Sequence, residues 1–444
     1  MSKKQNGLKM ATVLSLALML TVLSGCGGAN KNAAPDSSAS NTDSASHEST
    51  QPSQEKEVTL QLMGWRNSDD QGLQALLEAF QAKHPTIKIQ YTNASTDNYT
   101  TALKTKLLTN DGPDVFMVHP GGAEFVPLAQ SGFMEDLSGS EWIGNIQEGA
   151  MKAATLDNKV YGIPVDQNLI GMFYNKKIFS DNGLTVPTTW SDLIAIADKL
   201  KANGIAPFSF ALGDWPKGLP PYSLVASTVL ANHPNWYQDR TAGKTSFMDW
   251  APAYEKYQQL LENYTLDGVK GAMGVKFDSN LQLMIDGKAA MLIEGTWAYA
   301  NIMQMAPSAD VGLFAVNATD EPAGLVTPQG VGTVYAVYAK SDKKEAAEQF
   351  IAFLSTPESY VDPTAIPVIK GITDAPAFVK ENMLTLADQG KSAPFIDVPY
   401  PPGFADKIND SLERIFALNK KPEEVMKDWD KYWDDAIQKQ ANSK

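Results

Sequence analysis

The sequence lacks most of the residues and motifs that enzyme active sites use. Cys26 is the only cysteine in 444 residues, so the chain cannot form a disulfide with itself. It has four scattered histidines and contains no HExxH zinc motif, no GxSxG nucleophile motif and no phosphate-binding loop. We therefore predict a protein without catalytic residues, without a metal site and without a cofactor.

Positive charge is scarce as well. The chain has 37 Lys and Arg against 51 Asp and Glu, a formal net charge of −14, and no basic run follows its first residues. Nucleic acids and anionic membrane surfaces attract clustered Lys and Arg, so this composition argues against both as partners. The acidity itself is typical of a soluble protein and identifies no ligand.

Residues 1–25 have the pattern of a secretory signal, in which three lysines precede an apolar run over residues 10–23. That run is shorter than the about 20 residues of a membrane-spanning helix. Residues 23–26, Leu-Ser-Gly-Cys, resemble a bacterial lipobox, which implies that Cys26 is lipidated, for example by palmitate, and becomes the new N-terminus. Two lipid chains on one cysteine give a stable anchor. The alternative is an ordinary signal with an incidental cysteine.

The remaining chain divides into a tether and a folded part. Residues 26–56 have almost no large apolar side chain, so we predict a flexible tether. The about 390 residues that follow are enough for two domains.

Apolar spacing within the folded part switches between the periods of strands and helices. Alternation at residues 58–62 and 87–91 and an apolar run at residues 115–118 predict strands, and helical spacing at residues 73–80 and 99–107 predicts helices between them. This order predicts an α/β fold with a mostly parallel sheet. Further strands are expected at residues 160–165, 169–174, 208–212, 289–293 and 334–338, and helices at 190–200, 343–354 and, as a pair, within 404–440. The one-turn spacing of Trp429 and Trp433 predicts core positions.

Seven segments, in order along the chain, resemble one family. They are residues 64–67 (GWRN), 112–116 (GPDVF), 161–165 (YGIPV), 172–176 (MFYNK), 187–190 (PTTW), 294–298 (EGTWA) and 330–332 (GVG). With these segments the chain resembles the extracellular solute-binding proteins of sugar importers, related to bacterial maltodextrin-binding proteins. The resemblance covers nearly everything after the tether.

The resemblance implies a two-lobe periplasmic-binding-protein-like fold that closes on a ligand by a hinge. We expect three hinge crossings, near residues 161–166, 328–332 and 363–370, each of which contains Gly or Pro. The N-terminal lobe would comprise residues 57–165 and 331–365, and the C-terminal lobe residues 166–330 and 366–444. The implied partners are a carbohydrate, expected to be an oligosaccharide, and the permease of an ABC importer. The protein is expected to be a monomer on the extracytoplasmic face of the cell membrane, of a Gram-positive cell, held by its lipid anchor alone.

A sugar site needs aromatic rings for the C–H faces of the sugar and polar side chains for its hydroxyls, on loops at strand ends. The predicted ligand contacts are Trp65, Arg66, Asp69, His119, Gly121, Glu124, Asp166, Asn168, Asp214, Trp215, Trp297 and Phe404. The resemblance assigns a carboxylate-plus-aromatic loop to Asp214 and Trp215, and it implies that Trp297 stacks on the sugar. Trp236 and Tyr400 are further candidates, whereas Trp190, at a helix start, is expected to be structural.

Three other functions are compatible with the same residues. A secreted glycoside-acting enzyme would also use aromatics, together with two carboxylates about 5 to 9.5 Å apart. A binding protein for a cationic solute such as a polyamine would use carboxylates in the cleft. A purely structural surface protein would not close on any ligand.

The lipobox generates a first test. We expect Cys26→Ala to release the protein from the membrane or to leave its precursor uncleaved, because the cysteine is the site of lipid attachment. Fractionation of the producing cells and mass spectrometry of the mature N-terminus would measure this. A variant that is still processed and membrane-bound without lipid would contradict the lipoprotein assignment.

Overall fold

The computed structural model describes residues 57–362, 364–396 and 398–442. The predicted signal, Cys26 and the tether over residues 26–56 lie outside these described residues. Across the described part of the chain, no helix is both long enough and apolar enough to span a bilayer.

Strands and helices alternate along most of the chain. The strands are β1 (Val58–Gly64), β2 (Ile87–Asn93), β3 (Val115–Val118), β4 (Thr155–Leu156), β5 (Lys159–Val160), β6 (Ile163–Pro164), β7 (Asp166–Asn175), β8 (Ala206–Phe208), β9 (Ala289–Gly295), β10 (Val311–Phe314), β11 (Thr327–Val331), β12 (Val334–Val337), β13 (Ile366–Pro367) and β14 (Ser392–Pro394). The α-helices are α1 (Gln71–Lys83), α2 (Thr96–Leu108), α3 (Phe125–Gln130), α4 (Glu148–Met151), α5 (Lys176–Asp181), α6 (Trp190–Ala202), α7 (Leu219–Val225), α8 (Trp236–Thr241), α9 (Ala251–Tyr264), α10 (Gly268–Gly274), α11 (Phe277–Ile285), α12 (Ala298–Met305), α13 (Lys344–Leu354), α14 (Ala377–Val379), α15 (Thr385–Asp388), α16 (Phe404–Phe416) and α17 (Pro422–Asn442).

The first lobe is built on a sheet with the strand order β2-β1-β3-β12-β6. β1 pairs in parallel with β2 and β3, as expected for strands joined through helices. β12 runs antiparallel to β3 and β6, since it returns from the other lobe. The core of this lobe packs Leu73 and Phe80 of α1 and Phe350 of α13 together with the buried sheet residues.

The second lobe is organised around β7. Its sheet has the order β14-β11-β7-β9-β8, and β10 and β13 also pair with β7. β9, β10, β11 and β13 are all antiparallel to β7. The expectation of a mostly parallel sheet therefore holds for the first part of the chain and is wrong here. The reason is that β7 enters this lobe directly from the hinge rather than through a helix.

Two predicted strands are shorter than expected. Residues 160–165 divide into β5 and β6, and the predicted strand at residues 208–212 ends at Phe208. The amide of Leu212 bonds to the carbonyl of Ala272 instead of continuing a ladder, at 3.1 Å. Apolar character at residues 210–212 thus reflects burial in a loop.

The second core contains many aromatic side chains, and α17 contributes two of them. Trp429 and Trp433 are almost fully buried, and the indole N–H of Trp429 donates to the Ser411 hydroxyl at 2.6 Å. Trp433 lies against Phe247 with ring centroids 5.6 Å apart. Both tryptophans therefore have the core role that their spacing predicts.

The chain passes between the lobes in three places, as expected for this fold. β6 leads into β7, and β11 leads into β12. β13 pairs with β7, after which Ile369 forms a bridge to Ile146 of the first lobe. Val368 and Ile369 belong to the first core, although they follow the predicted boundary at residue 365. We therefore propose that the last passage into the second lobe lies after residue 372.

Candidate ligand-binding cleft

Loops from both lobes meet beside the hinge. The loops after β1 and β3 carry Trp65 and His119, whereas Trp215 and Trp297 follow β8 and β9 in the second lobe. The Nδ1 atom of His119 lies 3.3 Å from the carbonyl oxygen of hinge residue Gly332. A Cβ atom at Gly122, in the loop after β3, would lie 1.9 Å from the Tyr400 carbonyl oxygen of the second lobe. The loop after β3, which carries several of the predicted ligand contacts, is thus placed against the hinge and the second lobe.

On the first-lobe wall, Trp65 stacks on His119. Their ring centroids are 3.9 Å apart at 20°, and the edge of Tyr99 lies against Trp65 at 5.2 Å. Trp65 is half-buried, so His119 covers one face of the indole and part of the ring stays accessible. His119 is consequently placed as a support for Trp65.

Arg66 is engaged by carboxylates of the protein itself. Its guanidinium donates to Asp70 at 2.9 and 2.6 Å and to Asp362 at 3.1 Å. Asp70 also caps α1 by accepting the amide of Leu73 at 2.9 Å. Asp69, the predicted ligand contact, is exposed, and its neighbour Asp70 is the residue that binds Arg66. The network joins the loop after β1 to Asp362, in the segment that precedes β13.

Glu124 and the loop after β3 also have internal roles. The Glu124 side chain is 7% exposed and accepts hydrogen bonds from the Thr100 hydroxyl and the His119 amide. Gly121 has a φ of 102°, a left-handed conformation that glycine adopts without strain. Gly121 and Glu124 together determine the conformation of the loop after β3, and the Glu124 side chain is buried.

The hinge residues Asp166 and Asn168 connect both walls. Asp166 accepts the Thr333 amide at 2.8 Å and the Asn168 side-chain amide at 3.2 Å. Asn168 in turn accepts from the Thr296 hydroxyl at 2.9 Å, immediately before Trp297. Burial raises the pKa of Asp166, and these two hydrogen bonds oppose the shift. The chain of bonds fixes the start of α12 relative to the hinge.

The second-lobe wall is aromatic. Trp297 lies 5.8 Å from Trp215 and 6.2 Å from Phe395, measured between ring centroids. Trp215 also contacts Phe277 at 5.4 Å. All four rings are partly exposed, which makes them suited to stacking on an apolar face.

Asp214 shapes this wall through the backbone. One of its carboxylate oxygens accepts the Trp215 amide at 2.9 Å and the other accepts the Phe277 amide at 3.2 Å. These bonds hold the Trp215 loop against the start of α11.

Phe404 is placed differently from the prediction. It is 1% exposed, with its ring 5.1 Å from both Phe247 and Trp433, so it belongs to the aromatic core. Trp236 is fully buried in the same core, and Tyr400 is nearly so. The three rings lie where helices pack on the core of the second lobe. The sequence does not reveal this packing, because each of these aromatic residues lies at or near a helix start.

Two aromatic residues of the wall were missed by the sequence analysis, Phe277 and Phe395. Phe395 follows the short edge strand β14, and Phe277 begins α11. Neither is preceded by a long apolar strand, the signal that identified Trp297.

The described residues include a surface cavity in the second lobe and no cluster of metal-binding side chains. Within the described residues, no group of three His, Cys, Asp or Glu is arranged to hold a metal ion. A cavity of about 430 Å³ in the second lobe is lined by Leu266, Asp267, Ser279 and neighbouring residues. Its one aromatic lining residue, Phe210, is 1% exposed, so the cavity lacks a stacking surface.

Similar proteins are known in several bacteria. The multiple sugar-binding protein of Streptococcus mutans is 27% identical over 72% of this chain and 78% of that protein. The melibiose/raffinose/stachyose-binding protein MelE of Bacillus subtilis is 23% identical over 94% of each chain. A structure of the solute-binding protein RafE in complex with raffinose matches with a TM-score of 0.70 and 21% identity, covering 86% of this chain and 100% of that one. This structural likeness shows the fold.

A family model defines the relationship directly. Residues 64–361, about two thirds of the chain, match the model of the bacterial extracellular solute-binding proteins. The match spans the first lobe, the hinge and much of the second lobe described above. The chain therefore belongs to the bacterial extracellular solute-binding protein family.

Proposed function

We propose that this protein captures a carbohydrate, specifically an oligosaccharide, in the cleft between its lobes and delivers it to the permease of an ABC importer. The observation that carries the proposal is the aromatic wall of Trp215, Trp297, Phe277 and Phe395, whose partly exposed rings suit the C–H faces of sugar rings. Several adjacent rings offer more stacking area than one sugar ring covers, which favours an oligosaccharide over a monosaccharide.

The relatives support the same class of ligand. Those described above are named for multiple sugars and for melibiose, raffinose and stachyose, and the structural neighbour RafE holds raffinose. Raffinose and stachyose are therefore the first probes to use.

Among the residues predicted from the sequence, we assign direct ligand contact to Trp65, Trp215 and Trp297. Gly121 allows close approach of the backbone to the ligand. Residues whose polar groups already bond within the protein position these contacts; they are Arg66, His119, Glu124, Asp166, Asn168 and Asp214. Asp69 is exposed at the rim, and Phe404 is removed from the set because it is buried.

We further propose that the protein is a lipid-anchored monomer on the outer face of the cell membrane. Cys26 in its lipobox supports the anchor. The acidic composition gives no reason to expect nucleic acid or an anionic membrane surface as a partner.

The geometry favours neutral sugars over a cationic solute. A polyamine site needs carboxylates that are charged and available to the ligand. Both oxygens of Asp214 accept backbone amides, and burial favours the neutral form of Asp166. A cation site would weaken strongly as ionic strength rises, whereas binding of a neutral sugar should hardly change.

The test of the function is a thermal-shift screen with raffinose, stachyose and other oligosaccharides, and with spermidine. A ligand present at 100 times its Kd adds about 2.7 kcal/mol of stability. We expect stabilisation by at least one oligosaccharide, insensitive to salt. Chromatography of the incubated sugar should recover it uncleaved. Stabilisation by spermidine alone, or release of sugar fragments, would contradict the proposal.

Trp297→Ala tests the aromatic wall. We expect sugar affinity to fall at least about tenfold, because stacking on one ring is worth about 1 to 3 kcal/mol and about 1.4 kcal/mol is one decade. The free energy of unfolding should fall by less than the about 3 to 5 kcal/mol typical of a core tryptophan. Titration calorimetry and denaturant unfolding measure both effects.

The matched control is Trp190→Ala. Trp190 is also half-buried, but it packs beside Lys256, whose Nζ atom lies 4.6 Å from the ring centroid. This variant should lose stability and keep its affinity. Unchanged affinity of Trp297→Ala with a large loss of stability would place Trp297 in the core instead.

Gly122 tests closure of the lobes. A Cβ atom at Gly122 would lie 1.9 Å from the Tyr400 carbonyl oxygen of the second lobe, so alanine forces this contact apart by about 1 Å. We expect raffinose or stachyose to reduce the radius of gyration of the wild-type protein in solution scattering. Gly122→Ala should remain less compact and bind at least about threefold more weakly.

Gly139→Ala is the control, because no heavy atom lies within 4 Å of a Cβ there. It should behave like the wild type in scattering and in affinity. Equal compaction of all three proteins would show that this contact does not limit closure.

A further inference from the structure

A buried carboxyl group without a hydrogen bond lies next to Trp297. The side chain of Glu294, near the end of β9, is 1% exposed, and neither carboxyl oxygen has a hydrogen-bond partner among the described residues. The indole Nε1 atom of Trp297 is also buried and likewise lacks a partner within the described part of the chain. Burying a polar group without a partner costs stability, so such a pair requires an explanation.

The two groups are neighbours with complementary chemistry. Burial raises the pKa of Glu294 well above its ordinary value, and the negative charge of nearby Asp214 raises it further. The Gly295 amide and the Trp297 indole lower this pKa and so oppose the shift. The indole is thus close enough to Glu294 to favour its charged form, although their relative geometry falls short of a hydrogen bond. An indole N–H can only donate, and a carboxyl oxygen can accept it in either protonation state.

Gly295 provides a second point of contact for the same ring. A Cβ atom built on Gly295 would lie 2.0 Å from Cζ3 and 2.1 Å from Cη2 of Trp297. The benzene edge of the indole therefore rests directly on the glycine backbone. Any side chain at position 295 would displace the ring from the wall.

We propose that Glu294 and Gly295 are positioning residues that fix the orientation of the Trp297 indole, Glu294 through the attraction between its carboxyl group and the indole N–H, and Gly295 by leaving room for the ring. The inference rests on the proposed sugar-binding function, because it gives the orientation of the Trp297 ring a role in ligand recognition. Neither residue touches the ligand. A buried acid with no such role would be replaceable by an apolar side chain without any effect on Trp297.

Ionisation of Glu294 affects the stability of the folded protein. The titratable groups that face it are Asp214, from the loop after β8, and Tyr257, from α9. Its pKa in the folded protein lies above the ordinary value of 4.5, so the folded state loses stability as the pH rises from 4.5 through the folded pKa. Glu294→Gln cannot ionise and should abolish this loss.

The test compares Glu294→Gln, Glu294→Leu and Gly295→Ala, each alone and combined with Trp297→Phe, which retains an aromatic ring but has no N–H. The Trp297 fluorescence of each protein is the difference between its emission spectra with and without Trp297→Phe. This measurement needs no ligand. Affinity for raffinose and stachyose is measured by calorimetry, and stability by urea unfolding at pH 5 and pH 8.

We expect Glu294→Leu and Gly295→Ala to shift the Trp297 emission and to weaken sugar binding roughly threefold to tenfold. Glu294→Gln should keep both properties, because its amide oxygen also attracts the N–H. In the Trp297→Phe background, Glu294→Leu should cause no further loss of affinity. Tyr257→Phe, which removes another buried and unpartnered group near Glu294, serves as the control and should leave Trp297 emission unchanged.

Three results would overturn the inference. The first is a Trp297 emission in Glu294→Leu equal to that of Tyr257→Phe, and the second is a loss of sugar affinity on Glu294→Leu that is the same with and without Trp297→Phe. The third is a Glu294→Gln variant that is as impaired as Glu294→Leu. Should the wild-type protein bind no sugar, the proposed function fails. The fluorescence comparison then still decides whether Glu294 orients Trp297.

Discussion

Asp166 lies where two of the passages between the lobes run side by side, and its carboxylate accepts the Thr333 amide across them. The backbone reinforces this contact, since the Val165 amide donates to the Thr333 carbonyl at 3.1 Å. From Asp166 the bonds continue through Asn168 to Thr296, next to the tryptophan of the aromatic wall. The Thr296 amide also donates to the Leu169 carbonyl at 2.9 Å. The position of the start of α12 therefore depends on the segment that leads from the hinge into β7.

This arrangement separates two tasks within the cleft. The polar side chains that surround it are largely bonded to one another or to the backbone, as Arg66 is to Asp70 and Asp362. They therefore determine the shape of the loops, while the rings of Trp215, Trp297, Phe277 and Phe395 remain partly exposed. Rings recognise the shape and the C–H faces of a sugar rather than its charge. Differences among relatives with different sugars can thus arise from ring placement on a common fold.

The sequence predicted most of the strands and the two-lobe architecture, because periodicity and segment order depend on local residues. The exact partners were harder to predict. Asp69 and Asp70 are adjacent, and only the start of α1 decides that Asp70 meets Arg66. Phe404 and Phe395 are both isolated aromatics near the C-terminus, yet the first is buried where α16 packs on α17 and the second stays partly exposed beside Trp297. Such outcomes depend on tertiary contacts that are distant in sequence.

The segment Glu294–Trp297 illustrates why a short motif can carry a function that its individual residues do not reveal. An acid at the end of a fully buried strand destabilises the protein if it stays unpaired, and glycine there lowers the β propensity of the strand. Both features conflict with simple packing of β9, whose other residues are apolar. The conflict disappears if the strand end serves the ring two residues later, since the acid supplies an acceptor and the glycine supplies space. Local violations of packing rules occur at functional sites, where another requirement compensates for their cost.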